Sequence, residues 1–394
     1  MRFGAFLPPH HPVGEHPTLL IERDLQLVTL LDRLGYDEFW VGEHHSSGWE
    51  MIASPELFLA AAGERTNRIK LGTGVISLPY HHPFTVAQRI VQLDHMTRGR
   101  VIFGTGPGAL TQDALMLGID TMVLRDRQDE AIGILKRLLR GEQITYDCDW
   151  FRLHKANLQL LPYQEKMEMV TASSVSPSGM KLAGKYGMGV LSLATSFAAG
   201  MYALTSQWAF AEQAAQESGN QVGREAWRIL LNFHLAETRQ QAEQEAAQGY
   251  QHWHNDYIIG TLTADGKGRV EDPRQLIEQA REPGPGGTRT ITIGTPDDAV
   301  STIRNLYQAT GGFGCVLGLA HDWANVEATR RSWELFARYV IPEINGLASG
   351  LKTAFALNKA NRAELLGKQF AAIQAKMGDR KIGQMEAPGG GKAK

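Results

Sequence analysis

Cysteine is scarce: the 394 residues hold two, Cys148 and Cys315, neither with a second cysteine at a metal-binding spacing. That excludes a disulfide scaffold and a cysteine zinc site. It is the usage expected of reduced thiols in a cytoplasmic protein. Long apolar runs are missing as well. No stretch reaches the roughly 18 apolar residues that a membrane helix needs, so no segment is expected to span a bilayer. The opening MRFGAFLPPHHP has no apolar run long enough for a secretory signal. Charge of one sign is not in excess, since 40 basic and 42 acidic residues leave a formal charge of -2. Such a balance gives no electrostatic ground for binding nucleic acid or an anionic membrane. There is no GxSxG elbow of a serine hydrolase. The glycine-dense GTGPG at 104–108 lacks the GxGxxG spacing of a dinucleotide fold.

What is present is an ordinary globular composition, 43% hydrophobic and 21% charged. Its most organised stretch is Arg68–Gly108. Arg68–Val75 is short, apolar and β-branched, and predicts a strand. Leu78–Pro83 is a loop with two histidines. Val86, Ile90, Leu93 and Met96 recur at the spacing of one helix face. Val101–Phe103 predicts a second strand, and Gly104–Gly108 follows it. This is a βαβ unit, whose parallel strands need a crossover of fixed hand.

The same alternation runs through the chain. Strands are predicted at 2–7, 39–42, 68–75, 101–103, 167–172, 189–193, 228–235 and 314–320, with helices between them. A further short strand at 290–293 precedes a helix capped by Thr295 and Pro296. Polar loops follow all the strands, which favours a (β/α)8 barrel over an open doubly wound sheet. Periodicity fades between Trp253 and Gly287, an insertion expected to be a lid or linker before the last strand. Residues 1–345 are therefore expected to form the barrel. Residues 346–394, rich in Ala and Lys, are expected to form a helical extension and a disordered tail with a solvated basic face.

Three histidine pairs fall in loops after strands: His10–His11, His44–His45 and His81–His82. Histidine moves protons near neutral pH, so three pairs at one barrel mouth point to acid–base work. Neighbours such as Glu43, His44 and His45 point to opposite sides of a strand end, which argues against a shared metal ion, and none is expected. The GTGPG loop suits either close approach of backbone to a flat ligand or a plain tight turn. The run SSVSPSG at 173–179 places four hydroxyls before a helix. It suits a bound phosphate, the alternative being a simple serine cap.

These pieces resemble the bacterial luciferase-like flavin-dependent monooxygenases. FWVGEHH at 39–45, LGTGVISLPYHHPFTVAQRIVQLDHMTRGRVIFGTGPG at 71–108 and TASSVSPSGMKLAGKYG at 171–187 carry the likeness. IGTPDDA at 293–299, GGFG at 311–314, HDWA at 321–324 and ELFARYVIP at 334–342 are similar to the limonene 1,2-monooxygenase branch. The resemblance implies a (β/α)8 TIM barrel, often a homodimer, holding FMN reduced by a separate NAD(P)H:flavin reductase. The reduced flavin reacts with O2 to a C4a-peroxide, which gives one oxygen atom to a small apolar substrate, limonene-like epoxidation foremost. A Baeyer–Villiger oxygenation, an F420-dependent oxidoreductase on the same barrel, or flavin binding without turnover are the alternatives. By position, His44 is implied as the active-site histidine. Gly74 and Val75 match a non-proline cis peptide beside the flavin ring. Thr105 and Gly106 fall in the cofactor loop, and Ser173, Ser174, Ser176 and Ser178 in the phosphate loop. Glu43, His45, His81 and His321 are expected in the substrate pocket. Two places depart from luciferase: Pro107 stands where it has a phosphate-contacting arginine, and Gly106 where it has a reactive cysteine.

Overall fold

In the computed structural model, residues 1–193, 198–263, 265–284, 289 and 291–377 are described. The predicted helix start at Phe197, the strand start at Thr290 and the tail beyond Met377 lie outside them. Contacts divide the chain into two units, Met1–Asn345 and Gly346–Lys394.

The first unit runs β1 (Arg2–Leu7), α1 (Pro17–Leu34), β2 (Glu38–Val41), α2 (Pro55–Arg65), β3 (Lys70–Thr73), β4 (Ile76–Ser77), α3 (Pro83–Met96) and β5 (Val101–Gly106). It continues through α4 (Thr111–Met116), α5 (Leu124–Leu139), the hairpin β6 (Ile144–Asp147) and β7 (Arg152–Ala156), then β8 (Met169–Ser173) and α6 (Ser178–Tyr186). Next come β9 (Gly189–Ser192), α7 (Ala198–Glu217), β10 (Trp227–Leu235), α8 (Arg239–His252), α9 (Gly260–Leu262) and α10 (Pro273–Arg281). It ends with β11 (Ile291–Gly294), α11 (Pro296–Thr310), β12 (Cys315–Leu319), α12 (Val326–Leu335) and α13 (Ile341–Asn345). The second unit holds α14 (Ser349–Met377), none of whose residues is buried.

Eight strands close a parallel ring in the order β1–β2–β3–β5–β8–β9–β10–β12 and back to β1. This is the (β/α)8 TIM barrel expected from the sequence. β11 stands outside the ring and pairs with the last four residues of β10. The local signals are specific. Pro17 opens α1 and Gly35, at φ 92°, ends it. Thr295 and Asp298 form a reciprocal capping box at α11. The helices bury their apolar faces on the outside of the ring, and the barrel interior is filled rather than hollow. There Trp40 lies fully buried, and a Cβ at Gly72 or Gly104 would come within 2.4 and 2.9 Å of its ring. Only glycine leaves room for that indole.

At the N-terminal end of the strands a buried charge cluster closes the barrel. Arg228 Nε donates to Glu38 Oε2 at 2.7 Å, and its NH2 reaches Glu38 Oε1 at 3.0 Å and Glu168 Oε1 at 2.5 Å. Trp40 Nε1 donates to the same Glu38 carboxylate at 2.9 Å. Arg228 and Glu38 are both wholly buried.

Three local differences from the sequence reading matter. Arg68–Val75, predicted as one strand, stops at Thr73 and resumes as the two-residue β4, which pairs with Thr105 and Gly106. The connection after α5 contains a hairpin whose Tyr146 and Phe151 rings stack at 5.6 Å. Its strands are too short and mixed to show a period. The six-residue α4, equally short, escapes the periodicity argument altogether.

A second polar network ties the ends of the barrel together. His11, after β1, has Nε2 2.9 Å from Asp24 on α1 and Nδ1 2.5 Å from Asp322 after β12. Arg23 also donates to Asp322 at 2.7 Å. Burial alone would depress His11, but the two carboxylates outweigh it and hold the imidazolium up to about 9. Burial raises Asp24, whereas His11 and Arg23 hold Asp322 low against its burial; both carboxylates support the imidazolium, Asp24 no less than Asp322. A histidine raised in the folded state stabilises fully below its ordinary value of 6.5, and the contribution is lost as pH rises through about 9. The midpoint of thermal unfolding should therefore fall between pH 6.5 and 9, and Asp322→Asn should flatten that decline. An unchanged slope in the variant would show that another group governs it.

Candidate active site

The C-terminal ends of the strands surround a cavity of about 410 Å³. That is a size at which cofactor and ligand sites occur, roughly 300–1,000 Å³. His44, Glu43, Gly74, Val75, Ser173, Ser174, Ser176 and Ser178 all line it. One space thus brings together the histidine after β2, the β3–β4 junction and the serine loop after β8. The Gly74–Val75 peptide is cis.

Both ring nitrogens of His44 are engaged. Nδ1 lies 3.0 Å from Asp113 Oδ2, and Nε2 lies 3.3 Å from Glu50 Oε1. Asp113 also accepts from the His45 amide at 3.1 Å and the Ser46 hydroxyl at 2.5 Å. Burial would lower the His44 pKa, but the hydrogen bond to Asp113 and the charge of Glu50 raise it. Asp113 is held low, chiefly by His44 acting against its burial. Burial pushes Glu50 up, and Tyr257 donates to its Oε1 at 2.9 Å. The result is an imidazole whose protonated form is favoured, between a firm carboxylate and a reluctant one at the cavity wall.

Glu43 is the opposite case. Its Oε1 takes His45 Nε2 at 2.9 Å and His81 Nε2 at 2.7 Å, and its Oε2 takes the Ser77 amide at 2.8 Å. These donors outweigh burial and keep it ionised. His45 and His81 therefore stand behind Glu43 and are not among the cavity-lining residues. Thr105 is also absent from the lining: its hydroxyl donates to the Val170 carbonyl at 3.2 Å within the barrel wall. Gly106 packs beneath Val75, where a Cβ would lie 2.4 Å from Cγ2, while Pro107 and Gly108 face the space.

His321 is elsewhere. It lines a second cavity of about 330 Å³ beside α1 and α12, together with His11, Arg23 and Asp322. His321 Nε2 donates to the Phe233 carbonyl at 2.9 Å, its ring stacks on Trp323 at 3.8 Å, and burial depresses it to about 3. It is a neutral packing residue. Sequence spacing could not reveal this, because β12 ends one residue from the loop and only the packing of Trp323 turns the ring away from the mouth.

The serine loop gathers hydroxyls and backbone amides at the start of α6. Ser178 donates its amide to Ser176 Oγ at 3.3 Å at the start of α6, and the cap residue Pro177 contributes no side-chain bond. Gly179 lets α6 start against β8, since a Cβ there would lie 2.1 Å from the Ala172 carbonyl oxygen. Gln207 on α7 braces the loop by donating to the Ser174 and Val175 carbonyls at 2.5 and 3.1 Å. Ser173 Oγ is buried without a partner. A helix N-terminus favours negative charge, and its first amides lack partners in the helix.

Arg125, at the start of α5, lines the same cavity beside these serines. It places a cation beside them from another element, where Pro107 offers none. Sequence reasoning missed it, as it missed Glu50, Asp113, Trp253 and Tyr257. The last two belong to a π-helical stretch, Trp253–Ile259, inside the insertion that was expected to be a lid or linker. Wide turns of this kind occur often at functional sites.

The model of the luciferase-like monooxygenases matches residues 1–312. The chain belongs to that family. It is 47% identical over 344 residues to limonene 1,2-monooxygenase of Rhodococcus erythropolis, covering 87% of both chains. It is 44% identical over 357 residues to 4-hydroxyprotoasukamycin monooxygenase of Streptomyces nodosus subsp. asukaensis, covering 90% of this chain and 95% of that one. Among solved structures, the oxygenating constituent of 3,6-diketocamphane monooxygenase from Pseudomonas putida, in complex with FMN, aligns with a TM-score of 0.73 at 24% identity. It covers 87% of this chain and 98% of its own and supports the shared barrel. For a luciferase-like monooxygenase, the mouth cavity with His44 and the serine loop is the candidate active site. Among the described residues no helix is long and apolar enough to cross a membrane.

Proposed function

We propose that this chain is the oxygenating component of a flavin-dependent monooxygenase. It takes reduced FMN and O2 and places one oxygen atom in a small, largely apolar cyclic substrate of monoterpene size. One observation carries the reading: an anion-binding serine loop and a proton-holding His44 share a single cavity. The residues present fit the cofactor. The orphan Ser173 hydroxyl, Ser174, Ser176, Ser178 and Arg125 suit its phosphate. The Gly74–Val75 segment leaves one wall low enough for a flat ring. Reduced flavin, when bound, supplies the electrons that let O2 donate one atom to the substrate and release the other as water.

The protein groups do the rest. Arg125 and the serines orient the phosphate, and the Trp253–Ile259 stretch shields the mouth from water. His44 holds a proton at Nε2 against Glu50, and Asp113 keeps the imidazole charged and fixed. A proton-rich wall favours electrophilic oxygen transfer to an alkene, as with limonene. Oxygen insertion beside a ring ketone is the alternative. The reading also takes a separate NAD(P)H:flavin reductase as partner, a homodimer, and a reducing cytoplasm in keeping with two free thiols.

Anaerobic titration with reduced FMN, followed by air and candidate terpenes, tests the proposal. Tight binding and substrate-dependent product are expected, and a parallel titration with F420 should show no binding. A preference for F420, or flavin binding without oxygenated product, would overturn it. Within this site, Ser174→Ala with Ser176→Ala should weaken FMN binding by about 1–3 kcal/mol, from two lost hydrogen bonds to a charged group. Unchanged affinity would remove the loop from the phosphate site.

A further inference from the structure

Among the described residues, two carboxyl groups line the mouth cavity, Glu43 and Glu50. Glu43 is fixed as a carboxylate by His45, His81 and the Ser77 amide. Glu50 is not fixed in this way. Its loop is pinned to the loop after β1, where the His11 amide donates to the Trp49 carbonyl at 2.9 Å and the Met51 amide to the Pro9 carbonyl at 3.3 Å. Its side chain is only 1% exposed.

The donors around Glu50 fall unevenly on its two oxygens. The Tyr257 hydroxyl donates to Oε1 at 2.9 Å, and His44 Nε2 stands 3.3 Å from the same atom. The His10 ring packs on Tyr257 at 4.8 Å and holds it there. Among the described residues Oε2 meets only the Ser47 hydroxyl, at 3.4 Å. A protonated carboxyl carries one O–H, which belongs on the oxygen that the donors leave free. In Glu50 that oxygen is Oε2. Burial favours this protonated form and the charge of Asp113 acts the same way, while His44 and the Tyr257 and Ser47 hydroxyls oppose it. His44 is placed differently. Its Nδ1 is committed to Asp113 at 3.0 Å and its Nε2 faces Glu50. Donating straight to a molecule in the cavity would take the ring away from one of these carboxylates, whereas donating to Glu50 would not.

We infer that Glu50 is the catalytic acid of this site, its Oε2–H protonating the oxygen atom that leaves as water, and that His44 reloads it. The inference rests on the oxygenase reading above and deepens it. In the step the Glu50 Oε2–H bond breaks and an O–H bond forms on the departing oxygen. The Glu50 carboxylate then takes the proton of His44 Nε2. The imidazole, left neutral with its other proton on Nδ1 toward Asp113, regains one from solvent, to which its side chain is 17% exposed. One proton enters for each that is given up, and neither residue is oxidised or reduced.

The test begins without cofactor. Infrared difference spectra of the flavin-free wild type against Glu50→Gln should show a protonated carboxyl band at about pH 6, above the ordinary glutamate value of 4.5. Tyr257→Phe removes a donor that favours the carboxylate, so the band should persist to higher pH. Absence of the band in the wild type would overturn the inference, because Glu50 would already be ionised. With reduced FMN, air and a terpene, Glu50→Gln should form about 10²–10⁴-fold less product at unchanged FMN affinity. Its amide oxygen still accepts from Tyr257, but it has no proton to give. Glu50→Asp keeps an acid and should retain more activity than Glu50→Gln. Nitrogen NMR finds a pH at which His44 is protonated in both wild type and Glu50→Gln, and rates are compared there. The loss should persist at that pH. Wild-type rates in Glu50→Gln would overturn the inference, since Glu50 would then act only by charging His44. So would a loss of FMN affinity in Glu50→Gln, because the carboxyl would then serve the cofactor. If the band is present and the wild type oxygenates no terpene, the oxygenase reading fails while the protonated carboxyl stands.

Discussion

Replacing Arg228 by methionine should destabilise the barrel by about 3–5 kcal/mol, the scale of removing one partner of a buried charge pair. Glu38 is wholly buried and shares two hydrogen bonds with Arg228, with Trp40 donating a third. Removing the guanidinium leaves that carboxylate, beneath the tryptophan that fills the barrel, with the partly exposed Arg2 at 3.3 Å as its remaining cation. Glu168 loses its closest partner too, although it keeps Lys70 at 3.2 Å and is partly solvated. The cation also sits 5.1 Å from the Trp40 ring centroid and supports its packing. Coulombic attraction alone does not set the size of the effect, because bringing both charges out of water opposes it. The decisive comparison is therefore with Glu38→Gln in the Arg228→Met background. Its amide oxygen still accepts from Trp40, but no poorly compensated buried carboxylate remains, so the double variant should recover part of the loss. Urea unfolding midpoints for the three proteins read this directly. A single variant that loses less than about 1 kcal/mol, the scale of a surface pair, would mean the cluster is far better hydrated than its burial implies.

His44→Ala should lower oxygenated product formation by about 10²–10⁴-fold, the usual scale for a positioned proton donor. FMN affinity should be unchanged, since the serine loop and Arg125 are untouched. The size of the effect follows from how the imidazole is held. Asp113 Oδ2 at 3.0 Å and Glu50 Oε1 at 3.3 Å occupy both nitrogens, so the ring can neither turn nor lose its charge readily. The raised His44 pKa gives the pH dependence its sign. The protonated form persists above 6.5, so product formation should fall on the alkaline side as that proton is lost. Asp113→Asn removes the strongest support of the raised value and should move this alkaline limb to lower pH. An Asp113→Asn profile superimposable on the wild type would show that the limb belongs to another group, with the buried Glu50 as the next to examine.

The alternation of apolar strands and amphipathic helices settled the barrel, because a parallel sheet buried on both faces imposes apolar runs separated by crossover helices. The histidine at 44 and the serines at 173–178 were legible for a related reason: they follow strands directly, and strand ends fall at the mouth whatever the details of packing. Short elements were not legible. α4 is too brief for a period, so its Asp113 could not be matched to His44, 69 residues away. Arg125 looked like one more charge at the start of a helix. Glu50, Trp253 and Tyr257 lie where the sequence pattern gives out, and only the fold sets the insertion's π-helical stretch against the loop after β2.

Several histidines separate the two levels most clearly. From sequence alone His10, His44, His45, His81 and His321 are equivalent imidazoles after or near strand ends. The tertiary structure sets one between carboxylates that favour its charge, puts two behind Glu43, turns one into a stacked neutral packing group, and packs His10 against Tyr257. Residue type and spacing determined that protonatable rings would gather at the barrel mouth. Which ring favours its charged form and which is taken up in packing was decided by long-range partners and burial, because a pKa and a hydrogen bond depend on neighbours in space rather than in sequence.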